Sequence, residues 1–267
     1  MNKTIGILHL TFPYGGAETA TIRLAKGLSE HGFKIYVFCT EYRENRAENA
    51  NGDYEIVRLP NAKKPASPRN IRFLKDAIQT RGITCLCVAC DCFLPIMSAL
   101  KDKKCVPLVY IQHNQPFWEK RSQLDLDAKK GFMKARVACI DLPKEKLFGY
   151  YTRRWKRIYT DLYDNCDAYV TLHPQYSREI AEAIGRDGKK FTAIPNMVSP
   201  VNTIPAEKKK EILYSGRMSH RDKRIDRLIK IWGIICDKAP DWELVLVGDG
   251  KERKRLQALA ARLALPR

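Results

Sequence analysis

The stretch TIGILHLTFPYGGAETATIRLAKGLSEHGFKIYVFCT, residues 4–40, holds the pattern that decides the fold. Thr4–Leu10 and Lys34–Thr40 are short apolar runs typical of buried strands. Between them, Ala17–His31 has apolar residues at helical spacing and ends at Gly32, a residue type that often terminates helices. A strand, a helix and a second strand in this order predict a βαβ unit with parallel strands.

The same alternation continues along the chain. Further strands are predicted at Tyr54–Pro60, Thr84–Ala89, Val106–Gln112, Ala168–His173, Lys190–Pro195, Glu211–Ser215 and Glu243–Val247. Further helices are predicted at Asn70–Arg81, Phe93–Lys103, Pro174–Gly185, Ile225–Lys238 and Lys251–Ala264, with a helical region from Phe117 to Asn165 that breaks near Leu142-Pro143. This order predicts an α/β protein with a mostly parallel, Rossmann-like sheet covered on both faces.

The pattern divides the chain into two domains. Residues 1–196 form the predicted N-terminal Rossmann-like domain. Residues 197–210 have no clear period, contain Pro200 and Pro205, and are interpreted as a linker. Residues 211–267 start a second Rossmann-like domain, but two strands and two helices bury little apolar surface. We therefore expect 211–267 to be incomplete and the chain to be truncated at its C-terminus.

Composition restricts the class of protein. The chain has 267 residues, of which 45% are apolar, so wholesale disorder is excluded. The formal net charge is +18, which predicts attraction to nucleic acid, anionic lipid or phosphorylated substrates without choosing among them.

The nine cysteines are interpreted as reduced thiols. No secretory signal precedes the first strand, so we expect a cytoplasmic protein. Four of the nine cysteines cluster at Cys85, Cys87, Cys90 and Cys92. Only one pair of these has the two-residue spacer that zinc sites favour. Buried core thiols are the favoured interpretation, and no metal is predicted.

The apolar stretch Ile83–Leu100 is a candidate membrane span. Its length of 18 residues is marginal, Asp91 lies in its middle and Pro95 interrupts it. A buried strand followed by a buried helix explains the stretch better, so no transmembrane segment is expected.

A glycine-rich turn follows the first strand at Tyr14-Gly15-Gly16-Ala17-Glu18. Two glycines permit close approach of a ligand, and the start of the next helix offers free N–H groups suited to phosphate. The alternative is an ordinary turn between a strand and a helix, in which Glu18 is only a favourable first-turn acid.

Three other strand ends carry polar residues, at Gln112-His113-Asn114, Gly216-Arg217 and Gly248-Asp249-Gly250. Ligands of open α/β sheets bind at the carboxyl ends of strands. Arg217 and the nearby Lys223 could converge on one diphosphate. The alternatives are loops that merely cap strands and basic surface turns.

The stretch Phe117–Thr160 is basic and aromatic, with 12 lysines and arginines against five acidic residues. Such a composition suits an anionic membrane surface or single-stranded nucleic acid. The remaining alternative is a solvated helix face whose aromatic residues lie in the core. The predicted membrane contacts are Arg153, Arg154, Trp155, Lys156 and Arg157.

Taken in order, these motifs resemble those of the retaining nucleotide-sugar glycosyltransferases of family 4, which have the two-domain GT-B fold. The resemblance spans nearly the whole chain. The segments that carry it are Gly15-Gly16-Ala17-Glu18, Ile194-Pro195-Asn196, Leu213-Tyr214-Ser215-Gly216-Arg217-Met218, Lys223-Arg224-Ile225-Asp226-Arg227-Leu228-Ile229 and Pro240–Gly250.

The resemblance implies transfer of a sugar, with retention, from a nucleoside diphosphate sugar to a lipid-linked or polysaccharide acceptor held mainly by the first domain. His113 would lie near the donor sugar as the catalytic histidine, and Arg217 and Lys223 would neutralise the diphosphate without a metal or other cofactor. The implied donor-binding residues are Gly15, Gly16, Glu18, Gly216, Arg217, Lys223, Gly248, Asp249 and Gly250.

One departure from the family pattern bears on activity. The family carries two glutamates separated by seven residues in its second domain, and none of Glu211, Glu243 and Glu252 has a partner at that spacing. We therefore expect weak or no transfer by this chain.

Other classes of function follow from that departure and from the charge. A truncated, non-catalytic module that binds a nucleotide or a membrane is the leading alternative. Nucleic-acid binding has only the net charge in its favour and is not expected. Only the family resemblance distinguishes a glycosyltransferase from a sugar-nucleotide epimerase of the same fold.

Overall fold

The computed structural model describes residues 3–13, 15–43, 53–198, 207–263 and 265, with only the backbone of Arg221 and Asp222. It forms two compact units, Met1–Lys120 with Pro143–Ser199 and Arg121–Leu142 with Pro200–Arg267. Part of the predicted helical region thus belongs to the second unit. Tyr14, Ala264, Pro266 and most of the predicted linker, with Pro200 and Pro205, lie outside the described residues.

The first unit is built on a parallel sheet. Its strands are β1 (Thr4–Phe12), β2 (Lys34–Tyr42), β3 (Glu55–Arg58), β4 (Cys85–Val88), β5 (Leu108–Gln112), β6 (Ala168–Thr171) and β7 (Phe191–Ala193). Their order is β3-β2-β1-β4-β5-β6-β7, and every neighbouring pair is parallel. The predicted α/β fold with a Rossmann-like sheet is confirmed.

Helices cover both faces of this sheet. They are α1 (Gly16–Glu30), α2 (Pro68–Thr80), α3 (Leu94–Lys101), α7 (Tyr150–Asn165) and α8 (Pro174–Ile184). Three further helices, α4 (Trp118–Leu124), α5 (Gly131–Arg136) and α6 (Leu142–Phe148), lie between α3 and α7 along the chain. Alternate strand residues enter two cores, so Leu8 packs in one cluster while the adjacent Ile7 packs in another beside Ala25 of α1. This alternation follows from the period of a strand.

The predicted helix break at Leu142-Pro143 is wrong. A π-helical turn, Val137–Asp141, leads directly into α6, so the helical backbone continues through Pro143. The wider π turn removes the contact between the proline ring and the preceding carbonyl that would end an α-helix. The chain instead changes direction at Gly149, whose φ of 55° is left-handed.

The second unit contains a two-stranded parallel sheet of β8 (Glu211–Ser215) and β9 (Glu243–Val247). Its further helices are the short α9 (His220–Lys223), which sequence analysis missed, then α10 (Ile225–Ile235) and α11 (Arg253–Arg262). Its core is small, with Met218, Ile225, Ile229 and Leu256 buried together.

No helix in the described part of the chain is long and apolar enough to cross a membrane.

Candidate functional site

A cleft of about 360 Å³ lies in the first unit, at the carboxyl ends of β1, β4 and β5. The strand order reverses between β1 and β4, and open α/β sheets bind ligands at such a switch point. The polar side chains that line the cleft are His9, Thr11, Glu18, Asp91, Gln112, His113, Asn114 and Glu119, together with the hydroxyl-bearing Tyr110. Among the described lining residues none is a lysine or an arginine.

Ala17 and Glu18, at the end of the glycine-rich turn, line this cleft. Gly15 is the N-cap of α1, and its N–H donates to Oε2 of Glu18 at 2.7 Å. This capping arrangement places a carboxylate at the positive end of the helix. A Cβ on Gly16 would meet no atom within 4 Å, so the fold does not itself require glycine there. The turn thus supports the capping alternative for Glu18, while the donor contacts of Gly15 and Gly16 stay predictions.

His9 is a residue of this cleft that sequence analysis did not select. It is 2% exposed, and its Nε2 lies 2.8 Å from Oγ1 of Thr21 in α1. Its Nδ1 lies 3.9 Å from Oε1 of Glu18. Burial, with a smaller effect of His113, lowers the pKa of His9 to about 3, so the ring is neutral at pH 7. A histidine inside an otherwise apolar strand was the available signal.

His113 lies just beyond β5, where the sequence placed it. Both ring nitrogens are buried and have no hydrogen-bond partner among the described residues. Burial lowers the pKa of His113 to about 4. A buried ring without partners is costly, and a ligand hydroxyl in the cleft would satisfy it.

A buried network of hydroxyl, amide and carboxylate groups fixes the strand end beside His113. Tyr169 donates from its hydroxyl to Oε1 of Gln112, and Nε2 of Gln112 donates to the Tyr159 hydroxyl at 3.2 Å. That hydroxyl donates to Oε2 of Glu119 at 2.8 Å and accepts from the N–H of Phe117 at 2.9 Å. Sequence reasoning missed this network, because its members are up to 57 residues apart.

The clustered cysteines form two close pairs. Cys85 and Cys87 share one face of β4, as predicted, and Sγ of Cys90 lies 3.0 Å from Sγ of Cys92. The hydrogen bond that the Cys87 thiol donates to Cys85, together with burial, raises the pKa of the Cys87 thiol. Within the described ranges, no three histidine, cysteine or acidic side chains form a group able to hold a metal.

In the second unit, the predicted residues lie in the loops that follow β8 and β9. The N–H of Gly216 donates to the carbonyl of Val247 at 3.0 Å, and Met218 donates to the carbonyl of Asp249 at 2.8 Å. A Cβ on Gly248 would lie 2.0 Å from the Gly216 oxygen, and one on Gly250 would lie 2.4 Å from the Met218 oxygen. These glycines therefore have a structural role, since they let two backbones run side by side.

The cations of that loop have different surroundings. Arg217 and Lys223 are exposed in the segment between β8 and α10. Arg224 instead binds Asp226 at 3.2 Å and Asp127 at 3.4 Å, which fixes the start of α10. Lys223 is therefore exposed to solvent, whereas Arg224 is held by two carboxylates.

The predicted membrane contacts on α7 need one correction. Trp155 is 5% exposed and packs beside Tyr159, with ring centroids 6.2 Å apart, so it cannot contact a membrane. Arg153, Arg154, Lys156 and Arg157 are exposed on the other side of the helix. For Trp155, the alternative of a solvated helix face with core aromatics is the correct one, because the amphipathic helix turns its rings inward.

Comparison with solved structures places this architecture among the glycosyltransferases. The chain is similar to sucrose-phosphate synthase from Thermosynechococcus elongatus, with a TM-score of 0.66, 17% identity, and coverage of 99% of this chain and 68% of that one. It is similar to WaaG, a glycosyltransferase involved in lipopolysaccharide biosynthesis, with a TM-score of 0.61, 16% identity, and coverage of 97% and 67%. It is also similar to Anabaena HepE in complex with UDP-glucose, with a TM-score of 0.62, 15% identity, and coverage of 98% and 66%.

These likenesses define the class as α/β proteins with the GT-B fold of glycosyltransferases. The model of Glycosyltransferase Family 4 matches residues 14–201, and that of Glycosyl transferases group 1 matches residues 200–267. The chain therefore belongs to Glycosyltransferase Family 4.

A curated relative gives the same family at the level of sequence. An uncharacterized glycosyltransferase of Haemophilus influenzae is 34% identical over 98 residues. That match spans 37% of this chain and 28% of the relative, and this chain spans about two thirds of the solved structures named above.

Proposed function

We propose that the protein transfers a sugar from a nucleoside diphosphate sugar to a hydroxyl group of a saccharide or lipid-linked acceptor. The observation that carries this proposal is the cleft at the switch point, where both nitrogens of His113 are buried without partners. Neutral imidazole, carboxylate and amide groups are suited to hydrogen bonds with sugar hydroxyls. The cleft therefore supports binding of a sugar ring.

The exposed cations of the second unit support a diphosphate-bearing donor. The described lining of the cleft holds Glu18, Asp91 and Glu119 but no cation, so it disfavours phosphate. The loop after β8 presents the exposed cations Arg217 and Lys223, which are suited to bind and neutralise a diphosphate leaving group. We assign the diphosphate to these cations, and we expect no metal to be required.

The finer parts of the proposal rest on the family resemblance. Retention of the anomeric configuration and an acceptor for cell-surface polysaccharide are expected from it. Action at the cytoplasmic face of the membrane is proposed from the basic residues of 117–160. HepE, one of the similar structures, was solved with UDP-glucose, which makes UDP-glucose the first donor to test.

The test is titration of the purified protein with UDP-glucose and a panel of other nucleotide sugars. Calorimetry measures binding, and release of the nucleoside diphosphate measures turnover. We expect His113→Ala to abolish turnover or reduce it by at least about a hundredfold, since it removes the imidazole that we propose contacts the sugar. Arg217→Gln and Lys223→Gln should weaken binding of the free nucleoside diphosphate as well. Lys208→Gln, an exposed cation in the second unit, is the matched control.

The outcomes separate the enzyme from the binding module. Turnover that His113→Ala abolishes supports the transferase, and the anomeric proton coupling of its product tests retention. Binding without turnover supports the non-catalytic module. Failure of every nucleotide sugar to bind would overturn both.

A further inference from the structure

An exposed apolar corner lies in the first unit, where α6 meets α7. Leu147, Phe148 and Tyr150 are 72%, 61% and 51% exposed. Single exposed apolar residues are normal on a protein surface, but three large ones within four positions form a patch that usually marks an interaction site. We call these three residues the apolar corner.

The corner is held in place by its own backbone. The N–H of Gly149 donates to the carbonyl of Glu145 at 2.8 Å, and the left-handed Gly149 ends α6 there. The N–H of Arg153 donates to the Gly149 carbonyl at 2.8 Å, and its guanidinium donates to the Phe148 carbonyl. These hydrogen bonds therefore fix the turn that carries the exposed apolar side chains.

The exposed charged side chains of residues 142–160, the segment that carries the corner, have one sign. Glu145 is the sole acidic residue of residues 142–160. Its carboxylate is turned inward, where it accepts from the N–H groups of Tyr151 at 2.8 Å and Thr152 at 3.1 Å and lies 3.2 Å from Nζ of Lys120. The exposed charged side chains of this segment are Lys144, Lys146, Arg153, Arg154, Lys156 and Arg157.

We propose that the apolar corner inserts into the headgroup region of an anionic lipid bilayer, with the surrounding cations on lipid phosphates. Exposed apolar side chains ringed by lysine and arginine, with the one carboxylate neutralised inside, complement such a surface in both polarity and charge. Basic residues alone would suit any polyanion, whereas Leu147 and Phe148 have no favourable place in water or on a nucleic-acid backbone. This inference rests on the membrane face named in the proposed function, gives it a contact surface, and replaces the contact predicted through Trp155.

The test is flotation of the purified protein with phosphatidylcholine vesicles that contain or lack phosphatidylglycerol. We expect binding to the anionic vesicles that weakens as salt rises, and little binding to phosphatidylcholine alone. The double variant Leu147→Ser/Phe148→Ser should lower the partition coefficient by about tenfold or more, because it removes the inserted apolar surface. Lys144→Gln/Lys146→Gln should reduce binding at low salt and weaken its salt dependence, since two of the six exposed cations of the segment are removed.

The matched controls lie in the second unit. Ile231→Ser/Ile234→Ser replaces two exposed isoleucines of α10, and Lys208→Gln/Lys209→Gln replaces two exposed lysines. Both should leave vesicle binding within about twofold of the original protein. Circular dichroism of each variant confirms that it is folded before its binding is measured.

Two results would overturn the inference. One is binding to anionic vesicles that the Leu147→Ser/Phe148→Ser variant leaves intact. The other is absence of vesicle binding together with self-association in sedimentation experiments that this variant abolishes, which would assign the corner to a second copy of the chain. Neither vesicle binding nor self-association depends on a sugar donor. Failure of this inference is therefore distinguishable from failure of the proposed sugar transfer.

Discussion

The N–H of Gly15 and Oε2 of Glu18 form a hydrogen bond of 2.7 Å, so the first turn of α1 is closed by its own carboxylate. A negative charge at this position already compensates the positive end of the helix. An anionic ligand that approached the turn would meet Glu18 as well as the free N–H groups. This relationship makes the glycine-rich turn better suited to a sugar hydroxyl than to a phosphate in the structure described.

Replacement of Glu18 tests this cap. Glu18→Ala should lower the free energy of unfolding by about 1 kcal/mol, since the Gly15 N–H loses its partner. Glu18→Gln keeps an acceptor and should cost less. Urea denaturation measures both, and Glu30→Ala at the opposite end of α1 is the control, with an effect near zero or slightly stabilising. Equal losses for Glu18→Ala and Glu30→Ala would contradict the capping role.

Gly16→Ala separates a structural need from a functional one. Because a Cβ there meets nothing within 4 Å, the free energy of unfolding should stay unchanged or rise by up to about 1 kcal/mol. If the backbone approaches the donor, affinity for the nucleotide sugar should fall about tenfold. Gly27→Ala, in the same helix, is the control. Equal donor affinity in the original protein, Gly16→Ala and Gly27→Ala would show that Gly16 makes no such contact.

Gly248→Ala should unfold the second unit. The added Cβ would lie 2.0 Å from the Gly216 oxygen, and the φ of 141° is one that side chains rarely permit. We expect a loss of about 3 kcal/mol or more, visible as lost amide protection across β8 and β9. Gly233→Ala in α10, where the Cβ meets only flexible leucine side chains, should be nearly neutral. A variant at Gly248 with native protection would refute the tight pairing.

The two cleft histidines should make stability depend on acid pH. Burial lowers the pKa of His9 to about 3, with a smaller effect from His113, and burial lowers the pKa of His113 to about 4. Below the unfolded value near 6.5 the unfolded chain binds protons that the folded protein does not. Each histidine therefore removes about 1.4 kcal/mol per pH unit as pH falls from there toward 4.

Denaturation at several pH values checks this dependence. The slope of the free energy of unfolding against pH gives the number of protons bound on unfolding. Between pH 4 and 6 this number should be smaller by about one in His9→Gln. Thr21→Val, which removes the hydrogen-bond partner at 2.8 Å but keeps the histidine, should lower stability with the slope retained. An unchanged slope in His9→Gln would mean that this ring is protonated in the folded protein.

Tyr159→Phe tests the buried network beside His113. The change removes the hydroxyl that bonds Gln112, Phe117 and Glu119, so the free energy of unfolding should fall by about 1–3 kcal/mol. Tyr163→Phe removes a single bond, to Asp187 at 2.9 Å, and should cost less. Thermal unfolding compares the two, and a larger loss for Tyr163→Phe would show that the network contributes little.

Much of the fold was predictable from local patterns. Every strand of the parallel sheet was expected, because apolar runs of strand length alternate with helical periods along the chain. Errors arose where tertiary context changes a local rule. A proline usually ends a helix, but the π-helical turn before Pro143 lets the helix continue. Trp155 belongs to a basic sequence segment, yet its side of α7 packs into the core.

The sequence by itself determined the α/β architecture, the family motifs and the positions of His113 and Arg217 at strand ends, because these features depend on residue type and spacing along one segment. Only the tertiary structure decided that Glu18 closes its own turn, that His9 joins the cleft and that Leu147, Phe148 and Tyr150 form an exposed corner. Burial and hydrogen bonding depend on which distant segments meet, and those partners are not encoded in any local pattern.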